Sequence, residues 1–211
     1  MKKNMLCALA AALGVMLLQG CGTFQAPPRQ VDLYTLAYPP PDAAEAEQRL
    51  PVHLAVSPFQ AVAPYHSNRM VYADNDYRRS TYTYHKWLAK PAEMINSFII
   101  RDIRAARIVE TASELGGHDS THVLSGRVEA FYEDDSRDPW AAVLGLSVTL
   151  SKKAPAASDS PVLLQKTYRT RRDLEQNNPL SFAKAMSRAL QTVSKRMVAD
   201  IRERLKRQGT D

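Results

Sequence analysis

The first 20 residues constrain the fold most, because they have the composition of a secretory signal and not of a folded domain. Lys2 and Lys3 form a short charged start, and an uncharged apolar run follows from Met5 to Leu18. This run is too short to span a bilayer as a helix, which takes about 20 apolar residues. We therefore expect residues 1–20 to be removed on export, so that the fold is built from the remainder.

The end of the apolar run, Leu18-Gln19-Gly20-Cys21, resembles the lipobox of bacterial lipoproteins. In those proteins the signal peptidase cuts before the cysteine, which is then acylated. The resemblance implies that Cys21 is the lipidation site and that residues 21–30 form a tether. Two or three acyl chains anchor a protein durably, whereas one chain does so marginally. The alternatives are an ordinary signal peptide with a coincidental cysteine and an uncleaved anchor.

The residue after the cysteine indicates in which of the two membranes a lipoprotein of this kind is anchored. In lipoproteins of this kind an aspartate at that position retains the protein in the inner membrane, and here the residue is Gly22. The resemblance therefore implies an anchor on the periplasmic face of the outer membrane. We expect residues 31–207 to form a single periplasmic α/β domain, with residues 208–211 as a C-terminal tail.

Composition narrows the chemistry open to the mature chain. Without residues 1–20, 191 of the 211 residues remain, which suffices for one domain with a substantial core. Cys7 leaves with the signal and Cys21 is acylated, so no thiol remains for a disulfide, a metal site or nucleophilic catalysis. Loss of Lys2 and Lys3 lowers the net charge from +6 to +4. A basic periplasmic domain does not meet nucleic acid, so its charge suits anionic lipid headgroups, lipopolysaccharide phosphates or an acidic protein.

The periodicity of apolar residues predicts a mixed α+β fold. One helix is expected from Pro91 to about Arg107 and a longer one from Asn178-Pro179, since apolar residues recur there at spacings of three and four. Strands are expected at residues 31–37, 52–57, 69–72, 77–84, 108–111, 122–132, 142–150 and 162–172. These elements predict one twisted, mostly antiparallel sheet with the two main helices packed on one face.

Two details of the predicted sheet concern its later strands. In the strand over residues 122–132 we expect Leu124, Val128 and Tyr132 to point into the core. Residues Glu133 to Pro139 are expected to form a polar hairpin loop.

No residue pattern predicts catalysis, and we expect no enzyme, cofactor or metal. His118 and His122 have a zinc-ligand spacing only on a helix face, whereas glycines and hydroxyl residues place them in a loop that enters a strand. The acidic residues of the predicted loop could attract calcium but lack the glycine and spacing of a calcium-binding loop. They are Glu133, Asp134, Asp135 and Asp138. Nucleophile-elbow, Walker and dinucleotide-binding motifs do not occur in the sequence.

The segment from Tyr65 to Trp87, which we call the aromatic-basic hairpin, is the candidate contact surface for a partner protein or lipid headgroups. Tyrosine, tryptophan and arginine are enriched at binding hot spots. The candidate residues are Tyr65, Arg69, Tyr72, Tyr77, Arg78, Arg79, Tyr82, Tyr84 and Trp87. The alternative is structural: tyrosines suit strands, Trp87 is expected in the core, and Arg78 and Arg79 also suit a solvated edge.

Short motifs in a fixed order resemble the ABC-type transport auxiliary lipoproteins, the family that includes the paraquat-inducible protein C lipoproteins. The motifs are Tyr34-Thr35-Leu36, Ser57-Pro58-Phe59, Pro64-Tyr65, Arg69-Met70-Val71-Tyr72, Tyr84-x-x-Trp87-x-x-x-Pro91, Leu124-Ser125-Gly126, Phe131-Tyr132-Glu133, Trp140, Ala185 and Ala189. The chain departs from many relatives at Ser67 and Ala73. The resemblance covers essentially the whole mature chain.

This resemblance implies a function in lipid transport. It implies an α/β domain without a catalytic site that works with an inner-membrane permease and ATPase and a periplasm-spanning mammalian-cell-entry-domain protein. Together they would move phospholipid or related lipid between the two membranes, with this lipoprotein as the outer-membrane docking component. Some relatives form rings, so a homo-oligomer is also open.

Two other functions are alternatives to lipid transport. One is a periplasmic lipoprotein that regulates peptidoglycan synthesis, and the genes beside this one would distinguish it. The other is a soluble lipid carrier, which needs an apolar cavity, whereas the strand alternation predicts a filled core.

Overall fold

The computed structural model describes residues 30–43, 49–114, 119–154 and 160–208. The signal, the lipobox, Cys21 and the tether up to residue 29 lie outside the described residues. Within these ranges there are nine strands and two long helices, α1 (Pro91–Ala106) and α2 (Pro179–Gln208). The strands are β1 (Asp32–Tyr34), β2 (Leu50–Val56), β3 (Gln60–Ala61), β4 (Arg69–Ala73), β5 (Ser80–Trp87), β6 (Val109–Glu114), β7 (His122–Asp134), β8 (Ala141–Lys152) and β9 (Val162–Asp173).

Strand β7 organises the sheet. Along one side it forms a long antiparallel ladder with β8, which pairs in the same way with β9. Along the other side it pairs in parallel with β2, then β3, then β4. Strands β4 and β5 form the expected antiparallel hairpin, while β1 joins β5 and β6 joins β2 in parallel. Most paired residues lie in the antiparallel ladders, which confirms the predicted sheet, but the short parallel pairings were not predicted.

The two helices cover one face of the sheet, as the apolar stripes predicted. Helix α1 begins at Pro91, whose lack of an N–H costs nothing because the first N–H groups of a helix have no helical partner. It ends at Ala106, and the capping residue Arg107 has the left-handed conformation, with φ 53°. Its Ile95, Ile99 and Ile103 are fully buried. Helix α2 begins after Asn178, whose Oδ1 accepts the Ser181 N–H at 2.9 Å as an N-terminal cap.

The predicted inward positions of β7 hold for its first half only. Leu124 and Val128 are buried, but a register shift between Val128 and Ala130 changes which side chains face the core. Phe131 therefore packs inside at 1% exposure, whereas Tyr132, which was expected inside, is only half-buried and stacks on Tyr65. The strand also continues to Asp134, so that the start of the expected polar loop lies within the sheet.

Neither described helix combines the length and the apolar character that crossing a membrane requires.

Candidate functional site

The structure divides the candidate contact residues into buried and exposed groups. Trp87 is fully buried, with its ring centroid 5.1 Å from Phe131 and 5.4 Å from Phe182. Tyr65 is 5% exposed and stacks on Tyr132. Both belong to the packing of the domain, because burying such large apolar side chains stabilises the fold, and neither is free to contact a partner. Trp87 therefore lies in the core, as its alternative structural interpretation expected, and Tyr65 is buried instead of forming part of the exposed contact surface.

Tyr82 connects the aromatic-basic hairpin to a buried carboxyl group. Its hydroxyl donates a hydrogen bond of 2.6 Å to Oε1 of Glu133, and its ring lies 5.1 Å from that of Tyr72. Glu133 is fully buried, and burial raises the pKa of its carboxyl to about 7. Burial and the adjacent Glu133 also raise the pKa of the Tyr82 hydroxyl. Tyr72 and Tyr82 are half-buried and hold the hairpin against the sheet.

The turn of the hairpin is held by its own side chains. Oδ1 of Asn75 accepts hydrogen bonds of 2.9 Å from the N–H groups of Tyr77 and Arg78, an arrangement typical of an Asx turn. Arg78 forms an ion pair with Asp74. Arg79 donates to the carbonyl of Asn75 at 3.1 Å and lies 4.4 Å from the ring centroid of Tyr132. Arg79 is therefore a structural residue of the turn.

Two candidate residues at the tip of the hairpin, residues 74–79, are strongly exposed. Tyr77 is 99% exposed, and the side chain of Arg78 is 67% exposed. A preformed turn presents these two groups at a small cost in conformational entropy on binding. The tip is therefore the best-defined contact surface among the residues that the sequence singled out.

A second surface lies at the edge of the sheet, and of its residues the sequence analysis had singled out only Tyr84 as a candidate contact. We call it the edge patch and define it by Val31, Leu33, Tyr84, Lys86 and Leu88. Four of these are large hydrophobic residues: Val31 is 39% exposed, Leu33 57%, Tyr84 39% and Leu88 62%. The only sequence feature that could have indicated this surface is the alternation of residues 31–37. Alternation predicts a strand, but it does not show which face of an edge strand other residues cover.

The sequence offered two groups of possible metal ligands, the histidines His118 and His122 and the acidic residues at the end of β7. His122 is buried, with Nδ1 2.8 Å from Oγ1 of Thr121 and Nε2 3.2 Å from Oε1 of Gln208. Burial lowers the pKa of this imidazole. His118 lies outside the described residues.

The four acidic residues at the end of β7 do not converge. Glu133 points into the core, whereas Asp134 accepts hydrogen bonds from Ser136 and lies 3.6 Å from Nε of Arg171. Partial burial opposes ionisation of Asp134, but these partners lower its pKa. In the described ranges no three histidine, cysteine or acidic residues are grouped so that they could hold a metal ion.

A groove of about 970 Å³ separates the proline segment 39–41 from helix α2. At its base Asp102 is 1% exposed and accepts hydrogen bonds from Tyr38 at 2.7 Å, Ser194 at 2.5 Å and Arg101 at 2.7 Å. These partners satisfy both carboxylate oxygens. Asp102 therefore ties the segment after β1 to both helices.

Comparison with solved structures shows the same fold in other proteins. Protein XCC0632 from Xanthomonas campestris, of the family designated DUF330, superposes with a TM-score of 0.75 at 17% identity over 85% of this chain and 100% of that chain. The crystal structure of an uncharacterized protein has a TM-score of 0.65 at 13% identity, covering 82% of this chain and 99% of that chain. Identities this low show the fold alone. Among curated proteins, no sequence matches significantly.

The family model for the ABC-type transport auxiliary lipoprotein component matches residues 34–198. The match runs from the end of β1 into α2 and so includes the whole aromatic-basic hairpin. The chain belongs to the ABC-type transport auxiliary lipoprotein family.

Proposed function

We propose that this chain is a non-catalytic outer-membrane lipoprotein of an ABC-type intermembrane lipid transport system. It docks the periplasm-spanning mammalian-cell-entry-domain protein, and through it the permease and ATPase, at the outer membrane. The family match over residues 34–198 carries the proposal, because it makes the chain an auxiliary lipoprotein of ABC-type transport. The lipobox with Gly22 supports the location.

The hairpin tip supports a docking role. Tyr77 provides a large and almost fully exposed side chain, and Arg78 provides a guanidinium that can pair with a carboxylate. Both stand on a turn fixed by Asp74 and Asn75. Residues of these types on a preformed surface are typical of binding hot spots.

The buried titratable groups support a binding role and not a catalytic one. Asp102 uses both carboxylate oxygens in contacts between elements of the fold. Glu133 is fully buried and accepts a hydrogen bond from the Tyr82 hydroxyl. Both therefore serve the packing of the domain.

The proposal is tested by crosslinking in cells. A photoreactive amino acid at position 77 should crosslink to the mammalian-cell-entry protein, whereas the same group at position 180, where Leu180 is 54% exposed on α2, should not. Crosslinks from position 77 to penicillin-binding proteins would contradict the transport role and favour regulation of peptidoglycan synthesis. Equal crosslinking from both positions would show that the tip is not a specific contact.

A further inference from the structure

The edge patch lies on the face of the sheet that the helices do not cover. Strand β1 is at the sheet edge, and its Leu33 is directly opposite Lys86 of β5, which in turn is opposite Arg69 of β4. Residues opposite each other on paired strands point to the same face. Trp87 alternates with Lys86 and is buried, so this row of three side chains points away from the core.

Further apolar side chains lie beside the two basic residues of this row, Lys86 and Arg69. Tyr84 and Leu88 flank Lys86 along the chain, and Val31 precedes Leu33 by two residues. Leu33 and Leu88 are the most exposed aliphatic residues of the patch, at 57% and 62%. Among the described residues, Lys86 has no ion-pair partner. Exposed hydrophobic side chains grouped beside basic ones are typical of an interaction site.

The chemistry of the patch matches a membrane surface. Aliphatic side chains with tyrosine and long basic side chains are the combination found where proteins meet the headgroup region. Lysine and arginine there are attracted to anionic lipid. The acidic neighbour Asp32 alternates with Leu33 and lies 3.4 Å from Nδ1 of His85, on the other face of β1.

The position of the patch along the chain points to the same partner. Val31 follows Cys21 by ten residues, which span at most about 35 Å when fully extended. The patch therefore begins where the tether ends, within reach of the bilayer that holds an acylated Cys21.

We propose that the edge patch rests on the anionic surface of the membrane to which Cys21 anchors the chain. This inference rests on the lipid anchor of the proposed function and adds an orientation. Leu33 and Leu88 enter the headgroup region, and Lys86 and Arg69 meet lipid phosphates. The helix layer, on the opposite face of the sheet, is then directed away from the bilayer.

The experiment uses the acylated protein in vesicles of phosphatidylethanolamine and phosphatidylglycerol. The mature chain has no thiol besides Cys21, so Leu88→Cys creates one labelling site for an environment-sensitive fluorophore. Leu180→Cys on α2 is the matched control, because the two leucines are 62% and 54% exposed. Brominated lipids should quench the label at position 88 at least about twofold more than the label at position 180, with a blue shift at position 88 only. Adding Lys86→Gln and Arg69→Gln should reduce this quenching in anionic vesicles but not in phosphatidylcholine vesicles.

The outcomes separate the patch from the anchor. Protein that does not float with vesicles contradicts lipidation and overturns both the anchor and the patch. Protein that floats but shows equal quenching at positions 88 and 180 overturns the patch alone. If the blue shift at position 88 requires the mammalian-cell-entry protein and not lipid, the patch binds a protein partner. If it requires a higher protein concentration and not lipid, the patch binds a second copy of the chain. Either result also overturns the inference.

Discussion

The buried carboxyl of Glu133 makes the stability of the domain depend on pH in a direction that the structure specifies. The side chain is fully buried, and its only described hydrogen-bond partner is the Tyr82 hydroxyl, while Oε2 has none. Burial raises the pKa from 4.5 to about 7, so the folded state favours the neutral form. We expect Glu133→Gln, which keeps the shape and removes the ionisation, to remove this pH dependence.

The size of the effect follows from the pKa. Each unit is worth about 1.4 kcal/mol, so ionising Glu133 in the folded state costs on the order of 3 kcal/mol. Because the folded pKa is raised, the stabilising contribution is fully present below the unfolded value near 4.5 and is lost as the pH rises through about 7. The free energy of unfolding of the wild type should therefore fall over this range relative to that of Glu133→Gln.

The assay is urea unfolding at pH 5 and pH 8, followed by circular dichroism, with Cys21→Ser in every variant to keep the chain free of lipid. The two proteins should have similar stability at pH 5, and Glu133→Gln should be more stable at pH 8 by up to about 3 kcal/mol. Glu110→Gln, which changes an exposed residue of β6, is the control and should leave the free energy of unfolding unchanged at both pH values. Titration of His122 is common to all variants and cancels in the comparison. A stability difference that is the same at both pH values would refute the reasoning.

Three further changes test the anchor and the core. Cys21→Ala should abolish labelling of the protein by an alkyne fatty acid, and persistent labelling would contradict the lipid anchor. Ile99→Asp or Leu190→Asp places an unpaired charge among fully buried residues and should lower the free energy of unfolding by about 4 kcal/mol or more, so a thermal melt like that of the wild type would contradict the placement of the helices. Gly126→Ala would put a Cβ 2.4 Å from ring atoms of Phe59 and should cost about 1–3 kcal/mol in urea unfolding, whereas an unchanged midpoint would show that the ring moves freely.

The helices and long strands were predictable because local patterns determine them. The stripe through Ile95, Ile99 and Ile103 can be buried on one face only by a helix. The alternation in β8 and β9 similarly requires a strand. These elements depend on residues within one segment, which the sequence displays directly.

The register of β7 was not predictable, because it depends on distant strands. Strand β7 pairs with β8 on one side, with a register shift between Val128 and Ala130, and with three separate strands on the other. The shift exchanges the inward positions, so Phe131 and Glu133 are buried where Tyr132 was expected. An acidic residue after a strand ordinarily predicts a solvated loop, and only the covering Tyr82 makes the buried position acceptable.

The contact surface was found only in part for the same reason. Composition marked the tyrosines of the aromatic-basic hairpin together, but Tyr65 is 5% exposed and Tyr77 is 99% exposed. The difference arises from Tyr132, which stacks on Tyr65 from a strand far along the chain. Apart from Tyr84, the edge patch was missed because its members come from two segments, residues 31–33 and 84–88, that are brought together by pairing of β1 with β5.

The docking role is tested most directly by the affinity of the purified lipoprotein for the periplasm-spanning mammalian-cell-entry protein. Tyr77→Ala with Arg78→Ala should weaken binding at least about tenfold, as loss of a hot spot does, while circular dichroism shows an unchanged fold. Leu180→Ala, a matched exposed control on α2, should bind like the wild type. Equal affinity of the double variant and the wild type, or no binding by the wild type, would contradict the account.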